Sequence, residues 1–219
     1  MTSVEHMERT MTRPSSRFWD RIADRYSRQP VADEAAYQQK LRVTQDYLRP
    51  DMEVLEFGCG TGSTAIVHAP FVKHILATDI SERMLEIARG KADAAKIDNI
   101  AFERAAIDTF SARDETYDAI MGHSILHLLE DKDAVIAKVH HMLKPGGVFV
   151  SSTVCIGEKM KWFKLIIPIG RALGLMPLVK VLTAKELEHS LTAAGFKIDH
   201  CWRPGSKGMT VFIVAKKAG

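Results

Sequence analysis

Between Met52 and Thr64 the chain reads Met-Glu-Val-Leu-Glu-Phe-Gly-Cys-Gly-Thr-Gly-Ser-Thr. Val54, Leu55 and Phe57 form a short apolar run that fits a strand buried in a parallel sheet. The run breaks into Gly58, Gly60 and Gly62, where the backbone can turn sharply and lie flush against a ligand because no Cβ intervenes. Ser63 to Val67 follow as the first turn of a helix whose free N–H groups would face whatever rests on the glycines. A strand, a glycine bend and a helix in that order open an α/β unit and point to an open, mostly parallel sheet.

His74 to Ile80 read as the next strand, ending in the carboxylate of Asp79. Asp79 therefore falls beside the glycine loop, about one βα unit later, where nucleoside-binding folds read a pair of ribose hydroxyls. A glycine loop by itself can be a plain tight turn. Glu56, two residues before the first glycine, makes this one more specific. The dinucleotide fingerprint places its third glycine where Ser63 stands here, and the lysine of a phosphate-binding P-loop is missing.

Glu56-Phe-Gly-Cys-Gly-Thr-Gly62 resembles motif I of the class I S-adenosylmethionine-dependent methyltransferases, and Asp79 stands where that family keeps its ribose-binding acid. The resemblance runs from about Val54 to Gly147 and more loosely to the C-terminus. It implies one doubly wound, seven-stranded sheet with an antiparallel final strand, and S-adenosylmethionine as cofactor. Glu56 would hold the methionine end, and Gly58, Cys59, Gly60 and Gly62 would let the backbone approach. Asp79 would take the ribose, while Ile80 and Met84 sandwich the adenine. The residues closing the third strand, Ala106, Ile107 and Asp108, would meet the adenine edge. Ala105-Ala106 replaces the family's usual Gly-Asp pair, so Asp108 can equally cap the next turn. A ligand with a sulfonium and an ammonium suits an acid-flanked loop better than a pyrophosphate does. Cys59 reads as a small packing residue rather than a nucleophile.

Residues 1–16 are polar and unpatterned and read as a tail, and 17–219 as one domain. Within it, 17–50 form a helical cap: Phe18, Ile22 and Tyr26 share one face, then Tyr37, Leu41, Thr44 and Leu48 another. Phe18 and Trp19 are expected to rest on the sheet, and Tyr26 and Tyr37 to line a substrate pocket, since a phenol tolerates a half-wet wall. Ser81, Asp131 and Thr183 stand as N-caps of three later helices. Residues 155–182 break the α/β alternation and carry Trp162 and Phe163, candidate substrate contacts in a lid. Dimer contact or peripheral membrane contact is an alternative use of that insert, but Pro168, Arg171, Pro177 and Lys180 interrupt any transmembrane span.

After the fourth strand comes His123-Ser-Ile-Leu-His127, at the sheet edge where ligands bind. His123 and His127 are candidate bases or acceptor-positioning groups, read here as sharing one helical face. His123 can also touch the cofactor, and either ring can instead orient backbone. His68 reads as structural.

The formal net charge of +3 gives no push toward nucleic acid, and no basic stripe interleaved with aromatics is present. Cys59, Cys155 and Cys201 are few and scattered, which suits a reducing cytoplasm and neither disulfides nor a metal site. The first residues carry no apolar signal-peptide core. The reading is a cytoplasmic monomer or homodimer that methylates a small, hydrophobic or amphipathic acceptor. A non-catalytic binder of the same cofactor and a nicotinamide-dependent oxidoreductase are the alternatives.

Overall fold

Seven strands form one sheet in the order β3-β2-β1-β4-β5-β7-β6 in the computed structural model, which describes residues 3–157, 178–204 and 209–219. They are β1 (Glu53–Phe57), β2 (His74–Asp79), β3 (Ile100–Arg104), β4 (Tyr117–His123), β5 (Leu143–Val154), β6 (Phe196–Trp202) and β7 (Thr210–Lys217). All pairings are parallel except those of β7, which runs antiparallel between β5 and β6. The doubly wound sheet with an antiparallel last strand is therefore as expected.

The helices are α1 (Ser3–Ser27), α2 (Glu34–Gln45), α3 (Ser63–His68), α4 (Glu82–Ala95), α5 (Lys132–Met142) and α6 (Ala184–Ala193). Local chemistry fixes their starts. Asp33, Ser81, Asp131 and Thr183 accept backbone N–H groups of the following turn, and Thr183 with Glu186 completes a reciprocal capping box. Two boundaries differ from the sequence reading. The first helix begins at Ser3 rather than Arg17, so residues 3–16 continue it. β5 begins at Leu143, because Leu143 already pairs with Tyr117 before the Pro-Gly-Gly turn.

Strand side chains alternate between two apolar layers. Leu55, Phe57, Ile120, Phe149 and Ile213 face α5 and α6. Val54, Ile75, Ala77, Ala119, Met121, Val148 and Val150 face the opposite side, covered through Val43 of α2, Ala65 of α3 and Leu85 of α4. The same alternation carries Glu56, Asp79, His123 and Ser152 to the carboxyl edge of that second face. Among the described residues, no helix is long and apolar enough to cross a membrane.

Candidate active site

The loop after β1 is shaped by the sheet around it. Cys59 N–H donates to the Thr78 carbonyl at 2.9 Å, and Gly60 N–H donates to Asp79 Oδ2 at 2.9 Å. Gly60 and Gly62 both lie in the left-handed region, with φ of 54° and 72°. At Gly62 a Cβ would sit 2.8 Å from the Ala88 Cβ, so this glycine also brings the loop against α4. At Gly60 the same position is open space, on the crevice side.

Asp79 is the hub. Its Oδ2 holds Gly60 and its Oδ1 accepts the Ser81 N–H at 2.9 Å, and the Ile80 backbone N–H also acts on the carboxyl. Burial raises its carboxyl above the usual range, against the lowering effect of those backbone donors. Ser81 Oγ in turn donates to Asp20 of α1 at 2.6 Å, and Arg83 pairs with Asp24 at 2.7 Å. The cap helix is thereby tied to the end of β2.

A cavity of about 440 Å³ opens over this loop, within the range of roughly 300–1,000 Å³ for small-molecule sites. Gly58, Gly60, Asp79, Ile80, Met84, Ala106, Ile107, Asp108 and His123 all line it, nine positions expected from the sequence. Tyr26 lines it too. Trp19, expected to rest on the sheet, stands in the wall instead, its ring edge-on to Tyr26. Leu178, at the far end of the insert, reaches the same cavity, and the insert's two stems meet where Gly157 N–H donates to the Leu182 carbonyl at 2.8 Å. Trp162 and Phe163 lie outside the described residues.

Other expected residues stand behind the wall. Gly62 and Cys59 are not in contact with the cavity, and Cys59 is buried, its thiol raised well above normal by burial and then by Glu56. Tyr37 is half-buried on α2, hydrogen-bonded to Thr64 and within the field of Glu56. Glu56 is 2% exposed, and its Oε2 has no partner among the described residues. Burial first, then the Asp79 charge, pushes its carboxyl up to about 8.

His123 and His127 do not share a helix face. His123 is the last residue of β4, whereas His127 belongs to a single 3₁₀ turn, Leu126–Leu128. His127 is absent from the cavity wall, and its carbonyl accepts the Lys180 N–H at 2.7 Å. Burial lowers both imidazoles, His127 to about 4 and His123 to about 3.

Two elements of the site escape a reading of the sequence. Lys138 of α5 donates to the carbonyls of Ile107, Asp108 and Phe110 at 3.1, 2.6 and 3.1 Å, pinning the loop after β3 that forms one end of the cavity. His68, read as structural, is fully buried at the end of α3 with neither ring nitrogen partnered among the described residues.

Among the described residues, the wall carries the carboxylates of Asp79, Asp108, Glu130 and Asp131 and one lysine, Lys138, which is engaged by carbonyls. Such a wall suits a cationic ligand and opposes a pyrophosphate. The glycine loop without a Cβ on its crevice side and the Asp79 carboxyl beside it fit a nucleoside, while Glu56 lies buried behind the wall with one oxygen unpartnered among the described residues.

A family model described as a methyltransferase domain matches residues 48–204. The chain is 26% identical over 102 residues to the uncharacterised methyltransferase YcgJ of Bacillus subtilis, covering 47% of this chain and 40% of YcgJ. The crystal structure of that protein has a TM-score of 0.69 at 15% identity, over 83% of this chain and 99% of its own. A ubiquinone/menaquinone biosynthesis C-methyltransferase of Acidiphilium cryptum is 36% identical over 46% of this chain and 41% of its own length. A tRNA 5-carboxymethoxyuridine methyltransferase of Escherichia coli is 29% identical over 60% of this chain and 54% of its own. The chain thus spans about half, or less, of the length of these curated relatives.

Proposed function

The chain belongs to the class I S-adenosylmethionine-dependent methyltransferases, and we propose that it transfers the methyl group to a small, hydrophobic or amphipathic acceptor. The observation that carries this reading is the crevice itself: a cation-favouring rim of carboxylates over a glycine loop, continued by an apolar wall. Trp19, Ile80, Met84, Leu128, Leu129 and Leu178 supply that wall. An acceptor with an apolar body would bury it there, where each Å² removed from water is worth roughly 25 cal/mol.

When bound, the cofactor supplies a methyl group already activated on a sulfonium. The protein's share of the work is positioning and exclusion of water. Asp79 holds the loop and offers its carboxyl to a ribose, while Ile80 and Met84, on the same cavity wall, would pack on the base. Ile107 and Asp108, fixed through Lys138, close the base end. Glu56, buried behind the wall with one oxygen unpartnered among the described residues, would support the methionine end through the glycine loop. The loop geometry and acidic wall oppose the nicotinamide alternative, and membership of a methyltransferase family supports catalysis over mere binding.

The relatives named above act, by their names, in quinone biosynthesis and on a tRNA nucleoside. The apolar wall and the lack of a basic stripe support the first kind of acceptor for this chain. The test is formation of S-adenosylhomocysteine by purified protein with a panel of apolar small molecules and, separately, with bulk tRNA. Turnover with the small molecules is expected; turnover with tRNA alone would contradict the reading.

A further inference from the structure

The bend after β1 has little stiffness of its own. Gly58, Gly60 and Gly62 all adopt positive φ, and Gly62 starts α3 without a side chain to cap it. Holding such a loop in one shape costs conformational entropy, so its order before a ligand arrives depends on outside supports. At the crevice the support is Asp79, through the N–H of Gly60. Away from the crevice it is a lysine. Lys91 of α4 donates to Thr61 Oγ1 at 2.9 Å and to Ser63 Oγ at 3.1 Å, and none of these three residues lines the cavity.

Lys91 is poorly placed to stabilise the fold. Its ammonium is partly buried, and burial lowers it below the usual lysine range with no carboxylate acting against that among the described residues. It also stands at the amino end of α3, where free N–H groups disfavour a cation. A partly desolvated cation without a counter-charge weakens a fold more than it strengthens it. What the contact supplies is order in the loop. Thr61 and Ser63 flank Gly62, so one ammonium fixes the chain on both sides of the junction between bend and helix.

Resting on the methyl-transfer reading above, we propose that Lys91 is a positioning residue for the cofactor: it clamps Thr61 and Ser63 from α4, so that the Gly58–Gly62 backbone is shaped for S-adenosylmethionine before that ligand binds. Preorganisation of this kind raises affinity by removing the ordering cost from the binding step. The role of Lys91 thereby differs from that of Ala88, which lies against Gly62 on the same helix and serves packing.

The test compares the wild type with Lys91→Met, which keeps the aliphatic stem. Calorimetry with S-adenosylhomocysteine, thermal melting and amide hydrogen exchange of the ligand-free protein are measured on both. Lys91→Met is expected to bind about five- to tenfold more weakly. It should melt within about 2 °C of the wild type, or above it. Its amides at Cys59, Gly60, Thr61 and Gly62 should exchange faster. Thr61→Val removes one of the two acceptors and should also weaken binding, but added to Lys91→Met it should cost nothing further. Wild-type affinity in Lys91→Met, unchanged exchange of the loop amides, or additive losses in the double variant would each overturn the proposal. So would a fall in melting temperature of more than about 5 °C, which would make Lys91 a structural residue. A wild-type protein that itself takes no S-adenosylhomocysteine would overturn the cofactor assignment and this role with it, while the exchange comparison still reports whether the clamp exists.

Discussion

Asp79 accepts the N–H of Gly60 at 2.9 Å, so the carboxylate at the end of β2 sets the bend at the end of β1. One side chain thus shapes the loop and faces the crevice. Asp79→Ala removes both functions. S-adenosylhomocysteine affinity is expected to fall more than tenfold, since losing a charge-assisted bond and leaving donors unpaired costs on the order of 1.5–3 kcal/mol. Isothermal titration of the variant checks this, and unchanged affinity would remove Asp79 from the site.

Gly60 and Gly62, one on the crevice and one behind it, should separate packing from access. Gly62→Ala drives a Cβ to 2.8 Å from Ala88 at positive φ, so the melting temperature should drop by the equivalent of about 1–3 kcal/mol. Gly60→Ala meets open space, so its fold suffers only the backbone strain while its methyl intrudes on the ligand. Thermal melts paired with ligand titrations should show a larger stability loss for Gly62→Ala and a larger ratio of affinity to stability loss for Gly60→Ala.

Glu56 carries a pH signature. Its folded value of about 8 lies above the ordinary 4.5, so its contribution to stability is full below about pH 4.5 and is lost as pH rises through about 8. Between roughly pH 5 and pH 8 the wild-type melting temperature should therefore fall relative to that of Glu56→Gln. A difference between the two that stays flat across this window would place the Glu56 carboxyl in the ionised form throughout.

Among the described residues, Lys138 donates to three carbonyls of the loop after β3. Lys138→Met keeps the aliphatic stem and releases the loop. Affinity for S-adenosylhomocysteine should weaken about three- to tenfold, the equivalent of about 0.5–1.5 kcal/mol for lost loop order. A competition assay against adenosine tells whether the loss lies at the base end.

Much of this was legible because it is local. The caps Ser81, Asp131 and Thr183 each act within one turn of chain, and the Gly58–Gly62 bend with Asp79 is a signal spread over a single βα unit. What escaped depends on tertiary juxtaposition. Lys91 reads as the polar flank of an amphipathic helix until α4 is laid against the glycine loop, and His68 reads as one more helix residue until α3 brings it near His123. His127 differs for another reason: a spacing of four fits an α-helix, but the chain after β4 makes only a 3₁₀ turn, and His127 is not on the cavity wall. The extent of α1 back to Ser3 could not be read from hydrophobic spacing, since residues 3–16 are too polar to show one.

The most direct measurement is a pair of calorimetric titrations of the wild-type protein, one with S-adenosylhomocysteine and one with NAD. One-to-one binding of S-adenosylhomocysteine and no heat from NAD is the expected result. Binding of NAD with no response to S-adenosylhomocysteine would contradict the assignment of the crevice.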